Sequence, residues 1–91
     1  MGTVFLAIPG LEAAPLEDGA ILYYPKTGKF LMLNRTAAFV WNALSAPKKT
    51  EELVSGICQA FPEVSPVTAR QDVTLLLENL TTLELVSVAS D

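Results

Sequence analysis

The chain has 91 residues, a length at which one hydrophobic core is feasible and two independent ones are not, so a single domain spanning residues 1–91 is expected. An apolar share of 51% and a charged share of 18% exclude a disordered segment. Ten acidic residues against six Lys and Arg give a net charge of −4, the wrong sign for a protein whose affinity comes from neutralising phosphates, so nucleic acid is not an expected partner.

The first third is punctuated by turn residues at Pro9-Gly10, Pro15, Asp18-Gly19 and Pro25 with Gly28. Short runs rich in β-branched and aromatic residues lie between them, which is the pattern of strands joined by tight connections. Thr3 to Ile8 and Leu11 to Leu16 are the weaker strand candidates, the former because a strand near a chain end frays unless it finds a partner. Ala20 to Tyr24 is stronger, and Lys29 to Leu33 pairs with it across the Pro25-Lys26-Thr27-Gly28 turn as an antiparallel hairpin.

At Asn34 the pattern becomes helical. Asn34 or Thr36 can cap a helix running from Ala37 to Leu44, and its apolar content implies burial on most sides. Pro47 and two lysines end it, and Lys48-Lys49 reads as a solvated loop. Thr50 offers a second N-cap before Glu51 and Glu52, whose carboxylates suit the positive end of a helix dipole. Leu53, Val54, Ile57, Cys58 and Phe61 then form an amphipathic stripe, which makes Cys58 a core residue. Ser65-Pro66 opens a third and longest helix, with Val73, Leu76, Leu77, Leu80 and Leu83 at helical spacing and Arg70, Thr74, Glu78 and Thr81 on other angles. Leu85 to Val88 is a candidate final strand. The order implies an α+β, winged-helix-like fold: a small antiparallel β-sheet of about three strands followed by a three-helix bundle.

The side chains offer no home for catalysis. There is no histidine to serve as general base, and the single Cys58 excludes an internal disulfide and a Cys/His metal site. Glu17-Asp18 reads as a solvated turn, Trp41 as a core anchor, and the triplets Asn34-Arg35-Thr36 and Asn79-Leu80-Thr81 as chance matches to the glycosylation signal. No apolar run reaches the roughly 20 residues of a membrane helix, and no basic stretch marks a signal peptide. A cytoplasmic, non-catalytic protein with no metal and no cofactor is expected.

The hairpin is the informative element. A small sheet must leave an edge strand with unpaired backbone groups, and natural edges are normally blunted by charge or proline. Here Phe30-Leu31-Met32-Leu33 is an unbroken apolar run with one charge, Lys29, at its start. Alternation sends Phe30 and Met32 to one face and Leu31 and Leu33 to the other. Either the chain's own first strand and third helix cover both faces, or an extended peptide adds a strand at this edge.

The stretch Leu16-Glu17-Asp18-Gly19-Ala20-Ile21-Leu22-Tyr23-Tyr24-Pro25-Lys26-Thr27-Gly28-Lys29-Phe30-Leu31-Met32-Leu33-Asn34-Arg35-Thr36-Ala37 resembles the opening of the PqqD-like family. Its hallmarks are an acidic turn, a hydrophobic strand, a Pro-x-x-Gly turn, a second strand ending in Leu-Asn, and a helix with an aromatic residue such as Trp41. The likeness continues through Thr50-Glu51-Glu52-Leu53-Val54, Phe61-Pro62, Asp72-Val73 and the run from Leu76-Leu77 to Leu85-Val86, covering about residues 11–87.

The resemblance implies a peptide-recognition element in the biosynthesis of ribosomally made, modified peptides. Such proteins bind the leader of a precursor peptide as an added strand between the last hairpin strand and the third helix, and deliver it to a modifying enzyme or leader peptidase. By position it implies a peptide site made of Lys29, Phe30, Leu31, Met32 and Leu33 with Arg70, Val73, Thr74 and Leu77. Lys29, Arg35 and Arg70, if they flank one groove, would favour an acidic leader. The Pro-x-x-Gly-x-x-x-x-Leu-Asn pattern resembles the stand-alone leader-binding proteins of lasso-peptide clusters, with the chaperone of pyrroloquinoline quinone synthesis as the alternative; in either case the enzyme is a separate chain. Two readings of another class stand beside these. A winged-helix DNA-binding protein would need basic residues on the third helix, where Arg70 is the only cation between Ser65 and Asp91. Alternatively, the edge strand would pair with itself in a homodimer.

Overall fold

The structure, a computed structural model, describes residues 2–90, so the expected domain limits Met1 and Asp91 lie outside the described residues. The elements run β1 (Thr3–Ala7), β2 (Glu12–Leu16), β3 (Gly19–Tyr24), β4 (Lys29–Asn34), α1 (Arg35–Ala43), β5 (Lys48–Lys49), α2 (Thr50–Ala60), α3 (Pro66–Thr82) and β6 (Val86–Ser90). The α+β class, the hairpin and the three helices are those expected from the sequence. The difference is that the strands form two three-stranded antiparallel sheets, β2-β3-β4 and β5-β1-β6.

Local chemistry explains the first sheet. Leu16 pairs with Gly19 across the two-residue Glu17-Asp18 turn, and β3 pairs with β4 from Gly19↔Asn34 to Tyr24↔Lys29. The Pro25-Lys26-Thr27-Gly28 turn closes by donation from the Thr27 and Gly28 N–H groups to the Tyr24 carbonyl, at 3.2 and 2.8 Å. Gly19 has a φ of +153°, and a Cβ placed there would lie 1.8 Å from the Leu33 carbonyl oxygen. Only a residue without a side chain lets β4 approach so closely.

The second sheet is where sequence and structure part. β1 does not lie beside the hairpin; it pairs along its whole length with β6, from Thr3↔Ser90 to Ala7↔Val86. Lys48 and Lys49, expected as a solvated loop, instead form a half-buried two-residue strand against Phe5 and Val4.

Each helix is capped by a side chain close to its start. Ala37 N–H donates to Asn34 Oδ1 at 2.9 Å, so Asn34 rather than Thr36 caps α1. In α2 the cap is Lys49, one residue before the expected Thr50, and the Glu52 carboxylate accepts from the Lys49 backbone N–H at 2.8 Å. Ser65 caps α3 by accepting from Thr68 N–H at 3.2 Å, with Pro66 at the first helical position. α3 ends at Thr82 with Leu83 as its C-cap, followed by Glu84 in the left-handed region at φ +60°. Leu85 N–H donates to Leu80 O and Glu84 N–H to Thr81 O, which is the Schellman pairing with glutamate where glycine is usual.

The core gathers Leu22 and Leu33 from the hairpin, Val40 and Leu44 from α1 and its cap, Leu53 and Ile57 from α2, and Val73, Leu76, Leu77 and Leu80 from α3. Leu85 closes it from below β6. Each of these side chains contributes on the order of 1.5–3 kcal/mol by leaving water. Cys58 and Trp41 are half-buried against this cluster, in keeping with core roles. Among the described residues no helix is long and apolar enough to cross a membrane.

Two substitutions test these constraints. Gly19→Ala is expected to cost about 2 kcal/mol or more of stability, read as a lower urea midpoint, because Leu33 must retreat from a fixed register. Glu84→Gly is expected to add about 0.5 kcal/mol of stability, read as a higher urea midpoint, by relieving the left-handed backbone; an unchanged or lowered midpoint would mean the Glu84 conformation is unstrained.

Candidate functional site

β4 is the outer strand of its sheet, and among the described residues no strand pairs with its far side. With β1 held in the other sheet, every second residue of β4 presents its N–H and C=O outward, unpaired. The strand is apolar on both faces. Leu33 is 4% exposed and points into the core with Leu31 half-buried beside it, whereas Phe30 and Met32 stand on the opposite face at 65% exposure each.

Beyond that edge lies α3, and between the two is a hollow of about 220 Å³. Its β4 side is made by Leu31, Met32 and Leu33, and its end by Asn34, Thr36 and Ala37 where the chain turns into α1. Its α3 side is Asp72, Leu75, Leu76 and Asn79, at the i, i+3, i+4, i+7 spacing of a single helical face, with the fully buried Val73 at the floor.

The expected site residues divide between two regions. Leu31, Met32, Leu33 and Val73 line the hollow, and Lys29 and Phe30 continue the same strand. Arg70, Thr74 and Leu77 do not line it. Arg70 and Thr74 border a second surface depression with Pro66, Val67 and Gln71, which shares Leu75 with the hollow, and Leu77 faces Phe5, Thr50 and Thr81. At about 100° per residue these three sit on the far flank of the buried stripe from Asp72, Leu76 and Asn79. The residues overlooked from the sequence are therefore Asp72, Leu75, Leu76 and Asn79. For Leu75 the sequence does hold a signal, since at 100° per residue it falls off the Val73, Leu76, Leu77, Leu80 stripe, and in the structure it is 60% exposed.

The charges are also arranged differently from the expectation that Lys29, Arg35 and Arg70 flank one groove. Arg70 makes a two-pronged ion pair with Glu51 of α2, at 2.5 and 2.7 Å. Arg35 lies over the Phe61 ring at 5.2 Å from its centroid, and Phe61 in turn packs edge-on against Phe39. The hollow's lining carries no cation and one carboxylate, Asp72. Chemically the site offers unpaired backbone along β4, an apolar floor, and polar groups from Asp72 and Asn79 on the helix rim. It is suited to holding an extended peptide.

Comparison with known proteins bears on this geometry. The family model described as "Coenzyme PQQ synthesis protein D (PqqD)" matches residues 19–86. Among solved structures, TbiB1 in complex with the TbiA(beta) leader peptide superposes with a TM-score of 0.75 at 26% identity, covering 94% of this chain and 99% of that one. A lasso peptide synthetase B1 complexed with the leader peptide superposes at 0.72 with 22% identity, covering 91% and 96% of the two chains, and shows the shared fold. No curated protein sequence matches the chain.

The Glu51–Arg70 pair gives a pH-dependent test of its purely structural role. Hydrogen bonding from Arg70 holds the Glu51 carboxyl below its ordinary range, and the neighbouring positive charge adds to the effect. A lowered folded-state value means that the stabilisation is present above the unfolded-state titration and is lost as pH falls through the folded-state one. Both groups are well exposed, so the effect is small and screened by salt. Urea midpoints of wild type and Arg70→Ala should differ slightly at pH 7 in low salt and coincide at pH 2; a gap that persists at pH 2 would assign Arg70 another structural role.

Proposed function

We propose, given that this chain belongs to the PqqD family, that it is a non-catalytic carrier that captures the leader segment of a ribosomal precursor peptide as a strand added to β4. The observation that carries the reading is the conjunction of an unpaired edge strand, apolar on both faces, with an apolar hollow beneath α3. The leader's backbone pairs with Lys29, Phe30, Leu31, Met32 and Leu33. Its inward side chains fill the space over Val73, with Leu75 and Leu76 supplying apolar contact and Asp72 and Asn79 polar contact at the rim. Main-chain pairing supplies affinity that tolerates changes in leader sequence, and the hollow supplies selectivity.

The pathway we favour is lasso-peptide biosynthesis. Two leader-peptide complexes with the same fold support it, one of them a lasso peptide synthetase B1. The description of the family itself keeps pyrroloquinoline quinone synthesis as the second reading. In either pathway the chain acts as a single domain in the cytoplasm and hands the bound precursor to a separate modifying enzyme or leader peptidase. A DNA-binding role is disfavoured because Arg70, the one cation on α3, is already paired with Glu51.

Titration with the labelled leader of the precursor encoded beside this chain, with its core segment and a scrambled leader as controls, tests the reading. Saturable binding of the leader alone is expected, with amide shifts at Phe30 to Leu33. N-methylation of alternate leader residues should weaken binding at least tenfold in one phase and little in the other, since only one phase donates to β4. Leu75→Glu should weaken it at least tenfold in a folded protein, while Arg70→Ala stays within twofold. Indifference to N-methylation in both phases would remove strand addition, and concentration-dependent mass without peptide would turn the edge into a self-pairing site.

A further inference from the structure

The polar groups that line the hollow are unevenly engaged. Asn34 Oδ1 accepts from both the Ala37 N–H and the Thr36 hydroxyl, so the junction end is bonded within itself. On the α3 wall, Asp72 is exposed, and its side chain makes no hydrogen bond or ion pair among the described residues. No cation answers it within the hollow: Arg70 is held by Glu51, Arg35 lies on Phe61, and Lys29 starts β4 without lining the hollow. Asp72 and Asn79 stand about 10 Å apart along the helix, with Leu75 and Leu76 between them. An extended chain sets an inward side chain about every 6.6 Å, so this wall takes two of them.

A carboxylate on an open rim is solvated, and a leader strand laid in the hollow strips part of that water away. Left without a donor, the carboxylate opposes binding, and an acidic side chain beside it opposes binding further by like charge. A purely apolar tip fails in the first way. What satisfies Asp72 is a side chain whose stem lies against Leu75 and Leu76 and whose tip donates a hydrogen bond to the carboxylate, a bond stronger than one between neutral groups. The carboxylate therefore selects by rejection as much as by attraction.

We infer that Asp72 is the specificity-determining residue of the peptide site: the inward leader residue beside it carries an apolar stem with a hydrogen-bond donor at its tip, and Asp and Glu are barred from that position. This rests on the leader-binding reading above and deepens it by naming the class of side chain that the hollow takes. It also reverses the charge preference implied by grouping Lys29, Arg35 and Arg70 at one groove, since the one charge that lines the hollow is negative. An ammonium, a guanidinium and a hydroxyl share the required chemistry, and the two cations separate from the hydroxyl by their response to salt.

A double-mutant cycle between leader and protein tests this. Leader affinity is measured by fluorescence anisotropy for wild type, Asp72→Ala and Asp72→Lys. Glu78→Gln serves as a control that removes one negative charge from the same helix, at a side chain that lies with Phe5 and Thr81 instead. Each inward leader residue is replaced in turn by its isostere without the donor (norleucine for lysine, valine for threonine, phenylalanine for tyrosine) and by glutamate. At one position, loss of the donor is expected to weaken binding to wild type by about tenfold or more, and glutamate by more still, while both losses fall to about twofold against Asp72→Ala. Asp72→Lys should bind the glutamate leader about tenfold better than wild type does, and Glu78→Gln should follow wild type throughout. A coupling that fades with salt assigns a cationic donor and one that persists assigns a hydroxyl, and either supports the inference. Losses of equal size against wild type and Asp72→Ala overturn it, as does indifference to donor removal at every inward position. A loss on N-methylating the leader residues that face α3, without that coupling, assigns Asp72 to the leader's backbone and overturns it too. In each of these cases the leader still binds and strand addition stands, whereas a wild type that binds no leader removes the underlying reading first.

Discussion

The pairing of β1 with β6 is the constraint on which the site depends. β1 is apolar and lies a few residues before the hairpin, so the simplest arrangement would add it to the hairpin sheet and bury an edge. Instead its five-residue register with β6 commits it to the other sheet, where Ala7 N–H also donates to the Leu44 carbonyl and Ile8 N–H to that of Leu85. One consequence is that β2 covers one edge of β3 and nothing in the described chain covers β4. Another is that the end of α3 is tied down through Leu85, which fixes the helix at a set distance from the strand it faces.

The junction after β4 completes the geometry. Asn34 is the last residue of the strand, the cap of α1 and part of the wall of the hollow. Its side-chain oxygen accepts from Ala37 N–H and from the Thr36 hydroxyl, so the end of the edge strand is held to the start of a helix whose Val40 and Leu44 are buried in the core. Close approach of Gly19 to the Leu33 carbonyl fixes the same end from the other side. An edge strand held at its C-terminal end is pre-organised for pairing, and an incoming strand orders little besides itself.

Much of this was legible in the sequence, because local chemistry determines it. The Pro-x-x-Gly turn, the Asn34 and Ser65 caps, and the period-2 and period-3.6 apolar patterns each require only neighbouring residues. What was not legible depended on contacts between distant segments. Lys48 and Lys49 have no strand signal and pair only because β1 passes beside them; that placement also sets the start of α2 one residue before the obvious threonine cap. Glu84 gives no hint of a left-handed backbone, which is imposed by the turn that brings Leu85 under α3. For the site, the pattern on α3 identified the buried stripe but not which flank of it faces β4. Arg70, Thr74 and Leu77 lie on one flank of that stripe and Asp72, Leu76 and Asn79 on the other, and Arg35 and Arg70, which could flank one groove as far as the sequence goes, each have a partner on another element.

An edge that welcomes one extended chain welcomes others. β4 is uncharged after Lys29, free of proline and apolar on both faces, which is the composition of segments that stack into cross-β aggregates once several are brought together. The features that would make the strand a receptor therefore also suit it to pairing with copies of itself, which like net charges of −4 oppose. In the proposed role, a cell that makes this protein ahead of its peptide would accumulate the less soluble of the two forms, so matched production of the two would serve proteostasis as well as product yield.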